Sequence, residues 1–353
     1  MRRTAREEKF MDFATTAVNV LLLVAMAVPG FIMMKVKVVK PSSIKYFSAV
    51  LLYVSQPFLS LRSFLQAEYS PQLAVNLAIV FAVSMLAQGA LFCLLWAVLR
   101  RKFDRPEDSA MLLAEGYIGG HTMPGGPDLQ ALVTSTVRGR AYRVSVLAAT
   151  FGNVGFFGVP VLQMLFPDYP EAIAYSAVFI VSMNLMCWTI GSYVLTGDKK
   201  YISFKKAVLN PQMLTLFVAL PLFFCGVSLG SLPPALTKII GYLADMTAPL
   251  CMIILGMRFA VAPAAELFTD AKVWAASFIK TLLFPLALYL ILLPFDMEPM
   301  MRTSLVILAG MPSASINLNL TEIYGADQKT AANNILLSTL LSILTIPLLM
   351  MLF

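Results

Sequence analysis

The chain has 353 residues, of which 59% are hydrophobic and only 13% are charged. About a quarter of the residues of a soluble domain are charged, so this composition excludes a soluble globular fold. The net charge of +7 comes from basic residues in short loops between apolar stretches, a pattern typical of a membrane protein.

Ten apolar stretches are long enough to cross a bilayer, since about 20 helical residues span its hydrocarbon core. In chain order they are 13–34, 44–65, 73–99, 144–166, 172–196, 213–230, 238–257, 273–293, 303–324 and 331–353. The first follows a basic N-terminus but is too long for the core of a signal peptide, so we interpret it as a retained helix. The sequence therefore predicts an all-α membrane protein with ten transmembrane helices.

Basic residues are concentrated in the first, third and fifth loops between these stretches. They are Lys35, Lys37, Lys40, Lys45, Arg100, Arg101, Lys102, Arg105, Arg138, Arg140, Arg143, Lys199, Lys200, Lys205 and Lys206. The basic N-terminal tail favours the opposite orientation but is partly offset by Glu7 and Glu8. Because such loops stay on the cytoplasmic side, we predict a multi-pass cell-membrane protein with cytoplasmic odd-numbered loops and both termini outside. The same charges predict contacts with anionic lipids and no nucleic-acid partner.

Sequence features of enzymes and pumps are missing. The four cysteines all fall inside apolar stretches without metal-binding or disulfide spacing. The single histidine, His121, lies in a glycine-rich loop, where we expect it to be solvated. The chain contains no nucleotide-binding motif and no His/carboxylate cluster in any stretch. We therefore expect neither an enzyme nor a primary pump, and we predict no cofactor or metal centre other than a coupling ion.

The stretches show an internal repeat. A proline interrupts the second stretch at Pro57 and the seventh at Pro249. A polar centre broken by glycine or proline occurs in the fourth stretch at Gly152–Asn153 and in the ninth at Pro312–Ser313. Both pairs are five helices apart, which indicates a duplicated five-helix unit whose second copy enters the membrane inverted.

This duplication predicts two repeats, 11–196 and 210–353, with a polar cytoplasmic loop of about 104–140 inserted only in the first. We predict that helices 4 and 9 are broken and that their breaks place a substrate site near the bilayer midplane. A break survives in the membrane only when it is buried in protein or lines a cavity. Exposed helix N-termini at such breaks favour an anion, and unwound carbonyls favour a cation.

Amide and hydroxyl side chains cluster around the predicted breaks. Such groups are costly inside the membrane unless they have partners, so the cluster indicates a binding site. For Ser315 and Asn319 we expect instead that they hold helices together. The predicted substrate-binding residues near the breaks are Gly152, Asn153, Asn184, Pro312, Ser313 and Asn317.

The charges inside the stretches favour an anionic ligand, because acidic residues there are nearly absent. Lys280, about two turns into the eighth stretch, is the one cation away from the ends of the stretches, and we expect it to snorkel toward the membrane surface. A Na⁺ ion bound near Asn153, Ser313 and Asn317 is one hypothesis for energy coupling. Coupling to protons or to the membrane potential fits the sequence as well.

The same residues resemble a known family. The stretch Gly152–Leu162, in which Pro160 follows Asn153 by seven residues, is similar to the fourth-helix motif of the auxin efflux carrier family. Met311–Ser313 resembles its ninth-helix break, and Ala248–Met257 its bacterial seventh-helix pattern. Asn184 with Trp188 is similar to an amide-then-Trp pattern in the fifth helix. This family includes the plant PIN-formed transporters and bacterial malonate- or malate-type carriers, and the resemblance covers nearly the whole chain except 104–140.

The resemblance implies a scaffold of helices 1, 2, 6 and 7 that forms a homodimer, and a moving transport domain of helices 3–5 and 8–10. It implies that the broken helices 4 and 9 cross at the midplane and that Asn153 and Ser313 flank this crossover. It also implies that Asn184 hydrogen-bonds the substrate and that Ser60 faces the substrate from helix 2. Gly152 stands where plant members have proline. The acid/base pair of the plant third helix and the long plant regulatory loop are both missing, so auxin is not the expected substrate.

The function predicted from all these features is secondary transport of a small organic anion, a carboxylate, by elevator-type alternating access. An ion channel and a membrane receptor or sensor for small carboxylates remain as alternatives. The inverted repeat favours alternating access over a channel, whose pore is usually formed by oligomeric symmetry.

Overall fold

The computed structural model describes residues 13–67, 69–103, 129–197, 199–209, 211–261, 267–324 and 326–353. Throughout these ranges the secondary structure is helical, apart from one isolated β-bridge. The α-helices are Phe13–Ala25, Val28–Lys35, Ile44–Val50, Gln56–Gln66, Pro71–Leu99, Leu129–Thr150, Val159–Leu165, Pro170–Met186, Ser192–Thr196, Phe204–Val208, Pro211–Phe224, Pro234–Asp245, Thr247–Val261, Ala271–Phe278, Phe284–Leu292, Pro299–Ala309, Ser315–Tyr324 and Gln328–Met350. Four π-helical turns join some of them, at Leu51–Ser55, Val154–Gly158, Cys187–Gly191 and Ile279–Leu283.

Within the described ranges, six helices are long and apolar enough to cross a membrane. They are Ala14–Lys35, Pro71–Lys102, Pro170–Thr196, Pro234–Val261, Ala271–Leu292 and Gln328–Met350. The pair Lys199–Val208 and Met213–Phe224, bent by 42°, is a seventh candidate. The described ranges are therefore helical apart from that bridge, and the protein is an integral membrane protein. Ten spans and their inverted arrangement stay predictions.

The predicted helices that are not among the six are interrupted or polar. The apolar helices Val154–Leu165 and Pro299–Ala309 are too short to span alone, because each adjoins a non-helical stretch. The helical run 44–66 carries buried Ser55, Gln56, Ser60 and Ser63. The helix that ends at Thr150 begins at Leu129, so it takes in the end of the predicted loop 104–140. Positions 104–128 of that loop, including His121, lie outside the described residues.

Two helices approach closely enough for their backbones to touch. A Cβ atom built on Gly30 would lie 2.0 Å from the carbonyl oxygen of Ile253, and one built on Gly256 would lie 1.8 Å from that of Ala27. Small residues allow such close approach between membrane helices, where packing replaces the hydrophobic effect as the source of stability. Helix Val28–Lys35 is thereby fixed against Thr247–Val261, the predicted first and seventh helices.

We expect Gly256→Ala to destabilise the protein by about 3 kcal/mol, because the new methyl group meets rigid backbone and the helices must separate. The measurement is the thermal unfolding midpoint of the purified protein in detergent. Gly241→Ala is the matched control, since a Cβ there meets nothing within 4 Å and alanine favours a helix over glycine. Equal midpoints for the two variants would contradict this packing.

Helix Pro170–Met186 is surrounded by other helices. Its side chains are nearly all buried, and it contacts helices Gln56–Gln66, Pro71–Leu99 and Pro299–Ala309. The hydroxyl of Ser84 donates to that of Ser182 at 2.6 Å, which joins two of these helices through polar groups in the core. Enclosure on several sides fixes the position of every residue on this central helix, including those near its C-terminal end.

Candidate functional site

Two non-helical stretches face each other inside the helical core. The helix that ends at Thr150 is followed by residues 151–153, and the helix that ends at Ala309 by residues 310–314. Gly152 and Ser313 form an isolated antiparallel bridge between them. We call residues 151–153 and 310–314 the paired breaks.

Each break satisfies the backbone of the other. The N–H of Asn153 donates to the carbonyl oxygen of Pro312 at 2.6 Å, and the N–H of Ala314 donates to that of Phe151 at 2.9 Å. Unpaired backbone groups in a membrane core cost several kcal/mol each. The pairing therefore explains how two helix ends persist in an apolar interior.

Ser313 holds the breaks to two further helices. Its N–H donates to the Ser338 hydroxyl oxygen at 2.9 Å, and its own hydroxyl donates to the carbonyl oxygen of Ala148. Ser313 is completely buried. The contacts of Ser313 and Pro312 are thus structural contacts within and around the paired breaks.

A cavity of about 220 Å³ lies beside the paired breaks. Of the predicted site residues, Gly152, Asn153 and Asn184 line it. The lining does not include Ser60, Pro312, Ser313 or Asn317. The other lining residues are Leu52, Tyr53, Gln56, Val154, Gly155, Phe156, Ile180, Met183, Trp188, Pro211, Ala314, Ser315, Ile316 and Asn319.

Three polar lining residues were not among the predicted site residues. Ser315 and Asn319 were expected to hold helices together, but both line the cavity. Gln56 stands directly before Pro57, so the proline that marked the second helix was the available signal. The Gln56 amide nitrogen is buried and has no hydrogen-bond partner among the described residues, and it lies 2.8 Å from where a Cβ of Gly155 would be. A donor left unpaired beside a cavity suits a ligand acceptor.

Lys280 lies behind the paired breaks and is 1% exposed, so the prediction that it snorkels to the surface was wrong. Its ammonium group donates to the carbonyl oxygen of Ala309, in the last turn of its helix, and lies 4.9 Å from the ring centre of Phe284. Carbonyls at a helix C-terminus attract a cation, which explains the burial. Its Cε and Nζ atoms are each 3.0 Å from the position of a Cβ on Gly152.

The cavity is therefore bordered by positive charge and by neutral polar groups. No Asp or Glu occurs among the described residues that line it. The backbone of Gly152 lies between the Lys280 ammonium and the cavity. Charges in a protein interior interact strongly because little water screens them, so this arrangement favours an anion.

A second, larger cavity adjoins the first. Its volume is about 630 Å³, and it shares Leu52, Tyr53 and Asn319 with the cavity at the paired breaks. Two basic residues, Lys45 and Arg258, belong to its lining. The two cavities are therefore neighbours, and we call the larger one, with its two basic residues, the basic mouth.

The chain is similar to known membrane transport proteins. Residues 200–350 match the family model described as membrane transport protein. The resemblance to the auxin efflux carrier family is thereby confirmed. The chain is 27% identical over 208 residues to an "uncharacterized transporter" of Methanocaldococcus jannaschii, a match covering 58% of this chain and 66% of the relative.

A second relative, the "Putative malonate transporter" of Rhizobium meliloti, is 27% identical over 210 residues, covering 56% of this chain and 63% of the relative. The matches thus span slightly less than two thirds of both relatives. The matched family region, residues 200–350, contains Lys280 and Ser313 but neither Asn153 nor Asn184.

Proposed function

We propose that this protein is a secondary transporter that carries a small organic anion across the cell membrane. The observation that supports this most directly is the cavity beside the paired breaks. Amide and hydroxyl groups line it without a carboxylate among them, and a buried ammonium group lies behind Gly152. An oxyanion is the ligand class that such groups recognise together.

In this proposal the carboxylate oxygens of the substrate accept hydrogen bonds from the amides of Gln56, Asn153 and Asn184. The helix Ser315–Tyr324 begins at the cavity, so its N-terminal dipole adds partial positive charge. The rings of Tyr53 and Trp188 cover the apolar part of the substrate. Asn153 and Asn184 are therefore proposed to determine affinity, and Gln56 joins them.

The cavity volume limits the size of the substrate. Pockets for drug-sized ligands occupy about 300–1,000 Å³, whereas this cavity has about 220 Å³. A short mono- or dicarboxylate is therefore the proposed class. The printed name of the Rhizobium relative, which mentions malonate, refers to a three-carbon dicarboxylate of this kind.

Movement of the substrate is proposed to follow an elevator mechanism. Helices 3–5 and 8–10 would carry the paired breaks past a dimeric scaffold of helices 1, 2, 6 and 7. The larger cavity would be the approach route, and under the predicted orientation its Lys45 side would face the cytoplasm. The basic mouth would concentrate anions there, as charged clefts do for oppositely charged ligands.

A thermal-shift screen of the purified protein against short mono- and dicarboxylates, followed by flux in proteoliposomes, tests the proposal. We expect at least one carboxylate to raise the unfolding midpoint with saturation, because a ligand that binds only the folded state stabilises it. Flux of that anion should saturate with concentration. Ion currents far above carrier turnover would favour a channel, and binding without any flux would favour a receptor.

A further inference from the structure

Two buried carboxamides near the paired breaks have oxygens without partners. Asn317 is 1% exposed and Asn334 is fully buried. The amino group of Asn317 donates to the carbonyl oxygen of Leu147 at 3.4 Å, and that of Asn334 donates to the carbonyl oxygen of Thr330 at 2.8 Å. The Oδ1 atoms of both are buried and accept no hydrogen bond from any described residue. Since each amino group is held on a carbonyl, each oxygen points away from that carbonyl.

The register of two antiparallel helices brings these carboxamides to the same level. The bond from the Ser313 N–H to the Ser338 hydroxyl joins the start of helix Ser315–Tyr324 to helix Gln328–Met350. Asn317 lies four residues after Ser313, and Asn334 lies four residues before Ser338. Ser313 itself precedes the helix, but the bond from the Asn317 N–H to the carbonyl oxygen of Ala314 at 3.0 Å closes a turn directly after it. Asn334 lies about one helical turn before Ser338. Because the second helix runs back toward Ser338, both carboxamides lie on the same side of the Ser313–Ser338 contact.

A carbonyl-rich helix end lies at this level. The helix that begins at Leu129 ends at Thr150, and its last carbonyls form the negative end of the helix dipole. The carbonyl oxygen of Leu147 accepts both the N–H of Phe151 at 2.9 Å and the Asn317 amino group. The Lys280 ammonium lies beside Gly152. Gly152 is five residues after Leu147 and therefore beyond the last turn of this helix. The carbonyl end of this helix thus borders Asn317.

We propose that Asn317 Oδ1 and Asn334 Oδ1 bind a monovalent alkali cation, for which Na⁺ is the probe. All of the oxygens involved are neutral, whereas Ca²⁺ and Mg²⁺ sites use carboxylates. No group of three or more acidic, His or Cys side chains is assembled anywhere in the described ranges. A proton is not the ligand either, because a carboxamide does not titrate. Carbonyls and helix C-terminal ends are the groups that hold Na⁺ in transporters with broken helices.

This site differs from the one expected from the sequence, near Asn153, Ser313 and Asn317. Asn317 is retained and Asn334 is new. Asn153 lines the anion cavity instead, and the hydroxyl of Ser313 is engaged as a donor to Ala148.

The cation site and the anion cavity share one short segment. Ser315, which lines the cavity, lies between Ser313 and Asn317. A cation on Asn317 would therefore fix the segment that shapes the anion site, which is how it would couple to transport. This coupling role rests on the proposed function, whereas cation binding itself does not.

The test is the unfolding midpoint of the purified full chain in detergent as NaCl replaces choline chloride at constant ionic strength. We expect the wild-type midpoint to rise with Na⁺ and to saturate. Asn317→Leu and Asn334→Leu should both lose this rise, yet be at least as stable as wild type in choline, because they remove unpaired buried oxygens. Thr339→Val is the matched control: it removes a buried hydroxyl of the same helix, bonded to Ile335, and should keep the rise.

A Na⁺-dependent rise that persists in both leucine variants would overturn the proposal, as would a wild-type midpoint indifferent to Na⁺. If the leucine variants do not fold, Asn334→Asp serves instead, and it should respond at lower Na⁺ concentration because it adds a negative charge. An unchanged response in that variant would also overturn the proposal. The same samples are titrated with the carboxylate set: no carboxylate response in any salt contradicts the proposed function, whereas a carboxylate response without any Na⁺ response contradicts only the cation site.

Discussion

Asn153→Ala is expected to weaken carboxylate binding by about 10- to 100-fold while leaving the protein folded. The Asn153 side chain lines the cavity, whereas its structural bonds are made by its backbone, through the N–H to Pro312 and the carbonyl to Phe157 and Gly158. Alanine keeps all of these backbone bonds. The loss is that of hydrogen bonds to a charged group, worth about 1.5–3 kcal/mol each. Ligand-dependent shifts of the unfolding midpoint measure it.

Asn76→Ala is the matched control, because it removes the same atoms from another buried carboxamide. Asn76 donates to the Tyr175 hydroxyl at 3.2 Å and accepts from Gln72 at 3.0 Å, and it lines a different cavity. This variant should therefore lose more stability than Asn153→Ala and keep carboxylate affinity. Wild-type affinity in Asn153→Ala would place the substrate site elsewhere.

The positions of the helix breaks could be predicted because glycine and proline mark them directly. The helices end at Thr150 and Ala309, within three residues of Gly152 and Pro312. That the two breaks bond to each other was not predicted, and the structure pairs them through Gly152 and Ser313. The repeat itself, its inversion and the position of the crossing in the bilayer stay predictions.

Which polar residues face the cavity could not be read from the sequence. Around the ninth helix, every second or third residue is polar. The sequence does not fix how this helix is rotated about its axis, so it does not distinguish residues that line the cavity from residues that contact other helices. Ser313 and Asn317 point to neighbouring helices, whereas Ser315 and Asn319 point to the cavity. A break resets the helical phase, so periodicity before it gives no guide to the residues after it.

The sequence also failed to place Lys280, for an energetic reason. A long basic side chain within a membrane helix usually reaches the surface because burial of its charge is expensive. Here the end of another helix offers the carbonyl of Ala309 to the ammonium group. That compensation comes from tertiary structure, so local sequence around Lys280 carries no sign of it.

Lys280→Met is expected to weaken carboxylate binding by about 30-fold and, at the same time, to leave stability unchanged or increased. An anion resting on Gly152 would lie about 7 Å from the ammonium, and opposite charges at that separation attract by about 2 kcal/mol at an effective dielectric constant of about 20. Methionine fills similar space without the cost of a buried charge. The lost bond to Ala309 offsets part of this gain.

Opposite changes in affinity and stability separate this electrostatic role from a packing role, which would lower both. Lys272→Met is the matched control: it removes the same charge eight residues earlier, where Lys272 pairs with Asp270 at 3.0 Å, and it should keep carboxylate affinity. The salt dependence of carboxylate affinity is a second measurement. The contribution of Lys280 to this affinity should change little with salt, because a buried charge is screened little by ions. Affinity in Lys280→Met equal to that of Lys272→Met would mean that the anion does not rest beside Gly152.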